Sequence, residues 1–160
     1  MSMRILVALA LLAVGSFASA QNTRVLMDTD RGPLLVELDL VRAPNTSANF
    51  LRYVDAGRYN NTLLNRAVRN FIVQGGGFTE TGAEITRFAA INSERNNGLL
   101  NIPGTIAMAL TGNPPQVNSA TSDFYFNTGT NTGLDPNFTV FGKVVFGLKT
   151  LATLNDNPVF

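Results

Sequence analysis

No cysteine occurs among the 160 residues, so no disulfide can form in any redox compartment and a thiolate zinc site is excluded. Histidine is missing too, which removes the commonest general base and the commonest transition-metal ligand together. Chemistry is left to Arg, Asp, Glu, Tyr, hydroxyls, amides and the backbone. Long apolar runs are also scarce. The one candidate, Ile5 to Val14, is too short for a membrane span of roughly 20 residues, and nothing later in the chain supplies one. It follows Arg4 and leads into Ala18-Ser19-Ala20, the layout of a secretory signal peptide over residues 1–20, with a mature chain starting near Gln21. Without Arg4, 11 of the 12 basic residues remain against 11 acidic ones, and a neutral domain lacks the basic footprint that nucleic acid requires. The expected mature form is an exported monomer with no membrane span.

Residues 21–160 show no repeat, no proline-rich linker and no charge block, so they read as one domain. Arg24 to Asp28 and Leu34 to Leu40 are β-prone runs on either side of a Gly32-Pro33 turn signal, a hairpin pattern. Ala43 to Gly57 changes to helical spacing, with Phe50, Leu51 and Val54 on one face and Gly57 at the C-terminal cap. Thr62 to Val68, Asn70 to Gln74, Gly104 to Leu110, Asp123 to Thr128 and Phe138 to Val145 follow as short strands between Asn, Gly and Pro clusters. A second short helix is expected over Leu148 to Leu154. Many short strands with one or two helices predict a mostly β fold, a barrel capped by helix.

Several segments look like chemistry of another kind. Gly75-Gly76-Gly77 lacks the Lys-Ser/Thr of a phosphate loop and reads as a tight turn or bulge. Glu80, Glu84, Glu94 and Asp123 are spread over loops and strands, which leaves a metal cluster or an acid/base pair open but makes turn capping and solvation the preferred role. No cofactor is implied.

Leu64-Asn65-Arg66-Ala67-Val68, then Asn70-Phe71-Ile72-Val73-Gln74-Gly75-Gly76, resembles the signature of the cyclophilins, peptidyl-prolyl cis-trans isomerases. Gly104 to Ala109, Ser119 to Phe126, and Leu134-Asp135 ahead of Val140 to Val144 are similar to later blocks of that family in the same order. Ala43 to Thr46, Asn49 to Leu51 and Gly57 to Tyr59 resemble its helix and the exit from it. The resemblance spans about Met27 to Gly147 and implies a closed, cyclophilin-like β-barrel. It implies Arg66, Gln74 and Phe71 at the catalytic centre. Ile72, Ala109, Leu110, Asp123, Tyr125, Leu134 and Phe138 would line the substrate, a proline-containing segment of an exported polypeptide.

The sequence also departs from the family. Leu64 and Asn65 replace a Phe-His pair, Leu110 stands where the family contacts the substrate backbone with an Asn or Arg side chain, and Gly133 replaces an aromatic at the rim of the cyclosporin site. Asp123 takes the place of a glutamine, and a carboxylate there can pair with Arg66, orient it or hold it off substrate. The chain stops at Pro158-Val159-Phe160, where the family continues into a last strand, so either a truncated product or an unpaired sheet edge is expected. Three functions remain open: an isomerase, a proline-peptide binding module or holdase with little turnover, and a small-molecule barrel of lipocalin type. An Arg66–Asp123 ion pair closing the groove would favour binding alone; a free guanidinium over an apolar pocket would favour turnover.

Overall fold

The computed structural model describes residues 23–156. The expected signal peptide, residues 1–20, and the chain end at 157–160 lie outside them. A hairpin of β1 (Arg24–Thr29) and β2 (Gly32–Leu38) opens the domain. Then come α1 (Pro44–Asp55), a hairpin of β3 (Arg66–Val68) and β4 (Ile72–Gly75), β5 (Thr105–Met108), β6 (Phe124–Asn127), β7 (Val140–Phe146) and α2 (Leu148–Asp156). All seven strands join one antiparallel sheet in the order β1-β2-β7-β5-β6-β4-β3. The sheet curls into a half-barrel, the expected mostly β architecture with two helices.

The strands from β3 to β7 are each shorter than the sequence suggests, β3 most of all. Residues 62–65 lie outside the ladder, apart from an isolated bridge between Thr62 and Thr79, and Leu63 gives its amide to the Phe78 carbonyl instead. Asn70 takes a left-handed φ of 56° to close the β3–β4 turn, so the following strand starts only at Ile72.

Period-two alternation divides the buried residues into two compartments. Val73, Ile106, Met108, Phe124, Phe126 and Phe141 point into the curl, where they pack with Val25, Leu34, Val36, Phe50, Leu151 and Leu154. Ile72, Ala107, Tyr125 and Val140, their neighbours along the same strands, form a separate cluster on the other face. The large aromatics dominate the inner compartment. Phe50 of α1 meets Phe124 edge-on at 5.6 Å and tilts against Phe141 at 5.3 Å, and burying such a side chain contributes about 1.5 to 3 kcal/mol.

Helix α1 has Pro44 in its first turn and no side-chain cap from Ala43. The cap comes from far along the chain. The Glu94 carboxylate accepts the Asn45 and Thr46 amides at 3.0 and 2.8 Å and the Thr46 hydroxyl at 2.7 Å. A negative charge at a helix N-terminus suits the orphan amides and the macrodipole, so the capping role expected of the scattered carboxylates holds for Glu94. A cavity of about 1030 Å³ opens between β1 and residues 59–64, lined in part by Met27, Val54, Leu64 and Leu154. It shares no lining residue with the outer cluster.

Candidate active site

The β3–β4 hairpin places Arg66 directly opposite Gln74, and Arg66 Nη1 donates to Gln74 Oε1 at 3.3 Å. Gln74 in turn faces Tyr125 across β4 and β6, so Arg66, Gln74 and Tyr125 form a cross-strand row on the outer face. Arg66 is exposed, and among the described residues its guanidinium makes no ion pair. Its remaining N–H groups are available to a ligand.

Beside this row lies an apolar pocket. Phe71, Leu99, Ala109, Leu134 and Phe138 pack around the Ile72, Ala107, Tyr125 and Val140 cluster, and the Phe138 ring meets Tyr125 edge-on at 5.8 Å. Leu134 ends a 3-10 turn, Thr132–Leu134, whose Leu134 carbonyl accepts the Phe138 amide at 3.0 Å. Of the residues expected around the substrate, Ile72, Ala109, Tyr125, Leu134 and Phe138 come together here with Phe71. Leu110 does not join them, because just past the end of β5 its side chain packs against the inner core. Gly133 is exposed, and a Cβ there would meet nothing within 4 Å.

A buried amide network underlies the pocket. Tyr125 donates its hydroxyl to Asn101 Oδ1 at 2.8 Å, Asn127 Nδ2 shares that acceptor at 3.1 Å, and Asn101 donates to the Asp135 carboxylate at 2.7 and 2.8 Å. Asn131 Nδ2 then joins Asn127 Oδ1 to the Phe71 carbonyl, both at 2.8 Å. Tyr125 and the backbone of Phe71 are thus tied to one frame. Burial, reinforced by the Asp135 charge, holds the Tyr125 phenol above its ordinary range and keeps it a donor.

Asp123 is one alternation step from Tyr125 and shares its face, yet it does not pair with Arg66. Arg87 Nη1 takes the Asp123 carboxylate and also donates to Ser122 Oγ at 2.9 Å and Thr121 Oγ1 at 3.1 Å. Burial opposes the Arg87 charge, but the hydrogen bond and charge of Asp123 outweigh it and raise the Arg87 pKa. The glycine run beside the pair is a matter of close packing. Gly76 has φ +87°, and a Cβ there would sit 2.6 Å from the Ser122 carbonyl and 2.9 Å from the Phe124 ring. That agrees with a turn rather than a phosphate loop.

Nothing in the sequence singles out Arg87, Asn101, Asn127 or Asn131, and Asp135 stands out only as part of a resembling block. Only the density of asparagines between Asn92 and Asn137 hinted at the network.

Residues 24–160 match the family model of cyclophilin type peptidyl-prolyl cis-trans isomerase/CLD. A peptidyl-prolyl cis-trans isomerase of Acinetobacter baylyi is 39% identical over 160 residues, covering 97% of this chain and 83% of that protein. Peptidyl-prolyl cis-trans isomerase A of Dickeya dadantii is 40% identical over 139 residues, covering 84% of this chain and 72% of that one. The fold is similar to the crystal structure of a Cryptosporidium parvum cyclophilin type peptidyl-prolyl cis-trans isomerase, with TM-score 0.73, 28% identity and 86% of each chain covered. On the family match, the relatives and the fold together, this chain belongs to the cyclophilin-type peptidyl-prolyl cis-trans isomerases.

Proposed function

We propose that this isomerase acts on X-Pro bonds of exported polypeptides as they fold, with Arg66 as the catalytic donor and the Phe71, Tyr125, Leu134 and Phe138 pocket as the seat of the proline ring. The carrying observation is the Arg66–Gln74 pair at the edge of that pocket, with Asp123 drawn off to Arg87. An Arg66–Asp123 ion pair would have favoured the holdase reading, and the separation of these two side chains supports turnover instead. Proline as the ligand is supported by a relative, since the Cryptosporidium protein has also been crystallised in the presence of the dipeptide Ala-Pro. Export is supported by the sequence of residues 1–20 alone.

The chemistry suits a chain without histidine. Rotation about X-Pro crosses a barrier of roughly 18 to 20 kcal/mol through a twisted amide, and no proton or covalent bond changes hands. In the twisted state the prolyl nitrogen regains its lone pair and becomes an acceptor. An arginine, always protonated, can donate to it, and Gln74 Oε1 fixes the direction from which it does so. One charge-assisted hydrogen bond contributes about 1.5 to 3 kcal/mol, which is about ten- to a hundredfold in rate. The pocket adds to this by holding the ring while the preceding carbonyl turns, and by shielding the new hydrogen bond from water.

In a protease-coupled assay on an X-Pro tetrapeptide, Arg66→Ala is expected to lower kcat/KM by at least about tenfold. An unchanged rate overturns the mechanism. For export, N-terminal sequencing of the periplasmic product should start at Gln21; an intact residue 1 in that fraction overturns the processing.

A further inference from the structure

After Gly75 the chain leaves the sheet until Thr105, and on the way Arg87 brings a cation against Asp123 beside β6. Residues 86–88 are tied down on both sides of Arg87. The Thr86 carbonyl accepts Arg58 Nη1 at 2.9 Å, and the Phe88 amide donates to the Tyr53 hydroxyl at 2.7 Å. The Phe88 ring meets two guanidinium groups, that of Arg52 in α1 at 3.7 Å and that of Arg58 just beyond α1 at 3.5 Å from its centroid. Gly77 completes the seat, because a Cβ there would come within 3.2 Å of Arg87 Nη2 and would overlap Asp123 Oδ1. Several independent contacts therefore converge on delivering one positive charge to one carboxylate.

That carboxylate lies on the same face of the sheet as the catalytic donor. The Ala109 amide donates to the Asp123 carbonyl at 2.8 Å, extending the β5–β6 ladder by one residue, so the alternation puts Asp123 on the face that carries Tyr125, Gln74 and Arg66. Asp123 is about 7 Å along β6 from Tyr125, and Arg66 is two strands away at about 5 Å per strand, a gap that an extended arginine and an aspartate close between them. Asp123 and Arg87 have side chains only 20% and 30% exposed, so a carboxylate left alone there would be poorly solvated and would draw in a nearby cation. Arg66 is one such cation, and it carries no other ion pair among the described residues.

We infer that Arg87 is a positioning residue for the isomerase site: by holding Asp123, it keeps the Arg66 guanidinium on Gln74 and open to the prolyl nitrogen. This rests on the reading of Arg66 as the catalytic donor. Without Arg87, Asp123 captures Arg66, and the N–H groups needed in the twisted state are spent on a carboxylate.

The test is a cycle of Arg87→Gln, Asp123→Asn and the double variant. Each is assayed for isomerisation of an X-Pro tetrapeptide and followed by NMR at the Arg66 Nε–H signal, with Tm measured alongside. Arg87→Gln is expected to lower kcat/KM about tenfold, the size of one charge-assisted hydrogen bond. It should also shift the Arg66 signal. Adding Asp123→Asn should restore most of both, and Arg87→Lys should retain most of the activity. A merely structural role for Arg87 predicts that the double variant stays as impaired as Arg87→Gln, or worse, and that outcome overturns the inference. So does an Arg87→Gln enzyme with full activity and an unmoved Arg66 signal. If the wild type itself gives no acceleration, the catalytic reading fails, and the Arg66 signal across the cycle still decides the role of Arg87.

Discussion

Asn155 and Asn70 lie 85 residues apart, and the side chain of one holds the backbone of the other: Asn155 Oδ1 accepts the Asn70 amide at 2.9 Å. Asn155 Nδ2 reaches the carbonyls of Val68 and Ile72 at 2.8 and 3.3 Å. One buried amide at the end of α2 thus grips both strands of the hairpin that carries Arg66 and Gln74.

Asn155→Ala should destabilise the domain by roughly 2 to 4 kcal/mol, since orphaned buried donors and acceptors cost about 1 to 3 kcal/mol each. A lower denaturant midpoint would show it. The amide hydrogen of Asn70 should also exchange faster, and kcat/KM should fall as the hairpin loosens. An Asn70 amide as protected as in the wild type would count against the grip.

Alkaline pH should unfold this protein earlier than its arginines suggest. Burial raises the pKa of Tyr59, with the charges of Tyr53 and Asp123 adding to the rise and Arg87 opposing it; burial and Asp135 do the same for Tyr125. Both groups therefore keep their protons in the folded state above pH 10, where the unfolded chain releases them. With the folded pKa raised, stability is intact below pH 10 and falls above it, by about 1.4 kcal/mol per pH unit for each tyrosine. Denaturant midpoints measured through that range should decline, and less steeply in Tyr125→Phe. A flat profile would contradict the assignment.

Gly133 leaves the rim of the pocket bare next to Leu134. Weak cyclosporin binding is expected, with a dissociation constant above micromolar by titration. Since a side chain at Gly133 meets open space, Gly133→Trp should fold normally and bind the drug roughly tenfold more tightly through the added aromatic surface. Submicromolar binding by the wild type, or no gain in the variant, would overturn this reading.

What was legible in the sequence was local. The helix over Pro44–Asp55 announced itself through the spacing of Phe50 and Val54, and the strands through β-branched and aromatic runs. Arg66, Phe71, Gln74 and Tyr125 sit in ordered blocks, so a resemblance could find them. The residues that hold them in place could not be read that way. Glu94 caps a helix 48 residues upstream, Arg87 meets Asp123 across 36 residues, and Asn101 meets Tyr125 across 24. Each is a single polar side chain with no periodic partner. The same distance explains why the fate of Asp123 was open: its neighbour on the face was predictable from alternation, but its counter-ion comes from a loop with no strand pattern.

Strand β6 serves two masters by turns. Phe124 and Phe126 belong to the inner core, while Tyr125 lines the outer pocket. Substitutions at Phe124 and Phe126 should register as changes in melting alone, whereas those at Tyr125 should change both turnover and melting, because its hydroxyl is part of the buried amide frame. Pocket and frame therefore meet at Tyr125, and retuning the ligand preference there means renegotiating the network beneath it.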